Sequence, residues 1–127
     1  LASYFETGFD RWQDGGDDCA RVRSNRSYEG NYSIMLRNNS GVESSMTSPS
    51  LKVVGYNKLT LDFYFDGRNI DRAKEFAVYY QNGQRWQKLA EFESGKDFSG
   101  RNFFHASVTV LSNNFPANTR FRIQSEA

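Results

Sequence analysis

The chain has one histidine, His105, and one cysteine, Cys19, among 127 residues. A hydrolase or transferase needs a positioned acid, base or nucleophile, and a zinc site needs clustered histidine, cysteine or carboxylate ligands. His105 and Cys19 lie far apart in sequence, and neither stands in a nucleophile or ligand motif. No catalytic residue is assigned, and the expectation is that the chain is not an enzyme. A single cysteine cannot close an internal disulfide, so cysteine usage says little about redox compartment. No apolar run approaches the roughly 20 residues needed to span a bilayer, so no membrane insertion is expected. The formal net charge is only +1, and Lys and Arg are scattered rather than clustered. That argues against nucleic acid as a partner.

What the chain does have is alternation. Lys58 to Asp66 reads KLTLDFYFD, with Leu59, Leu61, Phe63 and Phe65 on one side of the pleat and Thr60, Asp62 and Tyr64 on the other. A period of two marks a strand with one buried and one polar face. Phe76, Val78 and Tyr80 repeat it, as do Phe104, Ala106, Val108 and Val110. Tyr32, Ile34 and Leu36 form another run, and Phe121 and Ile123 close the series. Ala20 and Val22 suggest a short strand after Cys19, and Val42 to Thr47 a polar one at a sheet edge. Glu29-Gly30-Asn31, Asn39-Ser40-Gly41, Asn82-Gly83, Ser94-Gly95 and Asn113-Asn114 favour tight reversals. Asn82-Gly83 predicts a hairpin between Glu75–Gln81 and Gln84–Phe92. No ten-residue stretch carries a helical stripe. About eight short strands with frequent turns predict an all-β antiparallel sandwich, a jelly roll, with residues 1–127 forming a single module.

Aromatic residues make up 16% of the chain. They suit a binding surface, because flat rings stack on the apolar faces of pyranose sugars while amides, carboxylates and Arg pair the hydroxyls. Opposite the core, the strands carry Asp62, Tyr64 and Asp66, then Glu75, Ala77 and Tyr79, then Phe103, His105 and Ser107. If these strands are neighbours, Tyr64, Tyr79 and His105 line one sheet face beside Asp62 and Glu75, with Trp86 at its edge. The competing reading is that outward aromatics only cover the second face, because strands favour Tyr and Phe. Trp86 is left open between ligand platform and core plug. Trp12 is expected to pack against the sandwich, and His105 to be a hydrogen-bonded surface residue. Three sequons, at Asn25, Asn31 and Asn38, are acceptors for glycosylation if the chain is exported.

The segment Phe5-Glu6-Thr7-Gly8-Phe9-Asp10-Arg11-Trp12, then Gly15-Gly16, then Tyr28-Glu29-Gly30-Asn31-Tyr32-Ser33 resembles the opening of jelly-roll modules in secreted proteins. These are carbohydrate-binding-module-like and MAM-like domains, found in marine Bacteroidetes enzymes and adhesins. The resemblance continues through Ser44-Ser45-Met46-Thr47-Ser48-Pro49, the KLTLDFYF strand and Phe121-Arg122. It implies an extracellular, secreted or cell-surface location and a structural calcium between the first strand and the E-G-N turn. Glu6, Glu29 and Asn31 are the candidate calcium ligands, beside a loop that also holds Asp10, Asp14, Asp17 and Asp18. Such modules close with a strand of the type YIDxV that does not follow Phe121–Ser125 here. The expectation is therefore a jelly roll lacking its last strand, with its edge open to a strand from a neighbouring chain. The modules also pair a cysteine near Cys19 with one near Ser125; with serine there, Cys19 is expected to be a buried thiol.

Two functional classes follow. The first is a non-catalytic extracellular carbohydrate-binding or adhesion module whose partner is a polysaccharide or glycan. The second is a structural or protein-interaction domain of a surface fibre or multi-chain assembly.

Overall fold

Alternating sequence becomes paired strands in a computed structural model that describes residues 5, 8–15, 19–23, 32–36, 45–66, 75–93, 96–97, 103–112 and 115–126. The strands are β1 (Gln13–Gly15), β2 (Cys19–Arg23), β3 (Tyr32–Leu36), β4 (Ser45–Thr47), β5 (Lys58–Asp66), β6 (Glu75–Asn82), β7 (Arg85–Glu93), β8 (Phe103–Leu111) and β9 (Phe121–Glu126). Every pairing is antiparallel. Five strands form one sheet in the order β1-β4-β9-β6-β7, while β5 pairs β8 and β2 pairs β3. No helix occurs among the described residues. The all-β antiparallel expectation holds.

Alternation and burial agree. Val78, Tyr80 and Phe121 from the five-stranded sheet meet Val108 and Val110 of β8, with Val53 and Phe115 completing a buried cluster. Leu59, Leu61 and Phe63 of β5 pack against that cluster, as does Trp12, which confirms its expected place. The five-stranded sheet and the β5–β8 pair thus enclose one core and turn their other faces away from each other. Toward Phe65 the core is aromatic: Phe65 meets Phe76 edge-on at 4.9 Å and Phe76 stacks on Phe92 at 5.0 Å. Offset and edge-on geometries suit ring quadrupoles and add to the area buried. Cys19 is buried and in no disulfide.

Buried hydroxyls extend the ladder between β4 and β9. Ser48 N–H donates to the Phe121 carbonyl at 2.8 Å, and Phe121 N–H returns a bond to Ser48 Oγ at 2.9 Å. Thr119 Oγ1 donates to the Pro116 carbonyl at 2.7 Å, closing the turn before β9. Both hydroxyls are almost wholly buried, so each must find a partner inside the protein.

Four details differ from expectation. The polar segment ending at Thr47 is not at an edge, because β4 lies between β1 and β9. Gln13–Gly15, read as part of an acidic loop, is the edge strand β1. β9, the last strand in sequence, lies inside the sheet between β4 and β6. The hairpin loop falls one residue later than its Asn-Gly signal: Asn82 pairs Arg85, leaving Gly83 and Gln84 as the loop. Gly83 has φ +69°. A glycine of positive φ at the first loop position is the mark of a type II′ turn, whose twist matches the strands.

Two stability tests follow. Phe115→Ala removes a ring that is 1% exposed, and chemical unfolding should show a loss of about 3–5 kcal/mol. Gly83→Val forces a β-branched residue to positive φ and should cost about 1–2 kcal/mol in the same measurement.

Candidate functional site

The topology divides the surface residues singled out from the sequence. Tyr64, His105 and Asp62 come together on the outer face of the β5–β8 pair. Tyr64 and His105 are direct cross-strand partners, and their rings stack at 4.5 Å with 13° between planes. His105 Nε2 is hydrogen-bonded to Asp62 Oδ1. Thr60 and Thr109 hydroxyls share a bond of 3.0 Å further along this face. Each ring of the stack gives one of its faces to the other, and Tyr64 remains 45% exposed.

Tyr79 is not beside them, which corrects the single-face expectation. The chain crosses between the sheets from β5 to β6, and β6 then pairs β7 and β9 rather than β8. Tyr79 and Trp86 therefore occupy the outer face of the five-stranded sheet. Glu75 belongs to β6 by register, but its side chain lies outside the described residues, as do Glu6, Glu29, Asn31 and all three sequon asparagines. Among the described residues no group of three His, Cys, Asp or Glu side chains converges. Asp10, in the acidic loop, accepts a hydrogen bond from Phe5 N–H at 3.0 Å.

The outer face of the five-stranded sheet is built from register upward. Gln13, Thr47, Arg122, Tyr79 and Lys88 are successive cross-strand partners and form one row over all five strands. Four inter-strand steps of about 4.8 Å give that row a length of about 19 Å. Trp86 lies opposite Gln81, one pair from the hairpin turn. On the other side of the row, Ser45, Gln124 and Ala77 are cross-strand partners.

Trp86 reaches this face through an irregularity. Val78 pairs Ala90 but Tyr79 pairs Lys88, so Leu89 is an extra residue in β7. Leu89 and Ala90 both pack against the core. Beyond this bulge the alternation of β7 is inverted, and Lys88 and Trp86 point outward. Re-aiming a side chain is what a one-residue bulge does.

Arg122 is the centre of the face. Its guanidinium lies 4.0 Å from the centre of the Trp86 ring, and its Nε donates to Thr47 Oγ1 at 3.0 Å. Burial pushes its pKa below the ordinary arginine value, with Tyr79 acting in the opposite direction. Lys88 lies 5.7 Å from the Tyr79 ring centre and pairs with Glu91. Gln81 Oε1 is buried and has no hydrogen-bond donor. The sequence reading passed over Arg122, Gln81, Gln124 and Thr47. Alternation with Phe121 and Ile123 does put Arg122 outward, but no sequence signal announces that β9 neighbours β6.

No protein-family model matches the chain, and no curated protein does. Solved structures do share its fold. One is a non-crystalline cellulose specific carbohydrate-binding module, CBM28, at a TM-score of 0.56 and 14% identity, over 98% of this chain and 83% of that one. Another is TmCBM61 in complex with β-1,4-galactotriose, at a TM-score of 0.58 and 14% identity, over 97% of this chain and 83% of that one. The chain has the β-sandwich fold of these carbohydrate-binding modules.

The Trp86–Arg122 stack gives a measurable coupling. A double-mutant cycle with Trp86→Ala and Arg122→Ala, read by chemical unfolding, should return about 0.5–2 kcal/mol of favourable interaction.

Proposed function

We propose that the protein is a non-catalytic carbohydrate-binding module of a secreted or cell-surface protein, and that it binds polysaccharide on the outer face of its five-stranded sheet. The observation that carries this reading is the composition of that face. Half-buried Trp86 and Tyr79 stand among a guanidinium, amides and hydroxyls, in a row about 19 Å long. Rings supply apolar area to sugar C–H faces, and the polar groups pair hydroxyls. Gln81 Oε1 adds a motive, since a buried acceptor without a donor is costly and a ligand hydroxyl would satisfy it.

The fold likeness supports the same class of ligand. The two solved modules are named for cellulose and for β-1,4-galactotriose. Among the described residues no helix is long and apolar enough to cross a membrane. The alternative is the β5–β8 face, where Tyr64 stacks on His105 and is 45% exposed.

Affinity electrophoresis against neutral and acidic polysaccharides tests the proposal. At least one should retard the protein, with a dissociation constant on the order of micromolar to millimolar. Trp86→Ala and Tyr79→Ala should each weaken binding about tenfold or more, a loss of about 1.4 kcal/mol, while Tyr64→Ala retains it. Loss of binding in Tyr64→Ala alone moves the site to the β5–β8 face. No retardation by any polysaccharide removes the reading.

A further inference from the structure

Arg122 has one N–H engaged and the rest of its fork uncommitted. Its Nε donates to Thr47 Oγ1, and its guanidinium carbon lies over the Trp86 ring, 4.0 Å from the ring centre. A guanidinium has five N–H donors in a rigid planar fork. The remaining four meet no described acceptor at hydrogen-bond distance, and no carboxylate pairs with this cation among the described residues. The other charges near it are accounted for differently. Lys88, in the same row, is neutralised by Glu91, and Arg120 donates from Nε to Ser50 Oγ at 3.1 Å. The Arg122 end of the face is therefore basic.

We propose that the glycan taken by this face is acidic, a polysaccharide bearing uronate carboxylates, and that Arg122 is the residue that pairs the carboxylate. This rests on the carbohydrate-binding reading and specifies its substrate class. A planar carboxylate accepts two parallel N–H bonds from a guanidinium fork. The stack on Trp86 and the bond to Thr47 hold that fork in place before the ligand arrives, so little side-chain freedom remains to be lost. Burial makes the Arg122 cation unfavourable, and desolvation lowers its pKa. A ligand carboxylate removes the imbalance, whereas a neutral sugar leaves it.

The test compares a polyuronate, polygalacturonate, with the same polymer methyl-esterified, and with a neutral galactan and a sulfated galactan. Binding is read by affinity electrophoresis and calorimetry at two salt concentrations. The free acid should bind at least tenfold more tightly than its ester, and added salt should narrow that difference. Arg122→Lys keeps the charge but loses the fork, and should cost about tenfold toward polygalacturonate, narrowing the preference for acid over ester. Thermal melting of Arg122→Lys controls for folding. Equal binding of acid and ester overturns the proposal, as does an acid preference that Arg122→Lys leaves intact. Preference for the sulfated polymer over the uronate also overturns it. Binding of neutral galactan with no gain from carboxylates overturns the acidic assignment but leaves the carbohydrate reading standing. Binding of none removes both.

Discussion

The bulge at Leu89 is the constraint on which the outer face depends. Phe92 and Ala90 point into the core, and strict alternation from them would carry Lys88 and Trp86 inward as well. One extra residue inverts the phase. Leu89 joins Ala90 in the core, and Trp86 emerges where Arg122 of β9 can lie against it. The partly buried tryptophan is thus held by its own strand's irregularity and not by the hydrophobic pattern. Beside it, the II′ turn at Gly83 and Gln84 sets the pairing of Asn82 with Arg85, and hence of Gln81 with Trp86.

The two faces of the sandwich illustrate two ways of treating polar and aromatic groups in a sheet. On the β5–β8 pair the groups satisfy one another: Tyr64 stacks on His105, His105 bonds Asp62, and Thr60 bonds Thr109. On the five-stranded sheet the satisfaction is incomplete. Gln81 Oε1 lacks a donor, and most of the Arg122 fork lacks an acceptor. Incompletely paired groups cost stability in the free protein. The core beneath is conventional by contrast, with Val78 and Phe115 wholly enclosed and the β4–β9 junction bonded through Ser48.

Most of the fold was legible in the sequence because a strand's period is local. Leu59 to Phe65, Phe76 to Tyr80 and Phe104 to Val110 declare their core sides by alternation, although Ala77, on the other face, is fully buried as well. The Asn82-Gly83 signal located the hairpin to within one residue. The site was less legible. Tyr64, Tyr79 and His105 are all outward in sequence, yet only Tyr64 and His105 share a face. Alternation tells which side of a strand a residue occupies, and it does not tell which sheet the strand joins. The sequence by itself determined the all-β class and the inward residues. Only the tertiary structure decided that Tyr79, Trp86 and Arg122 converge, because that depends on β6 lying between β9 and β7 and on a bulge that no periodic pattern encodes.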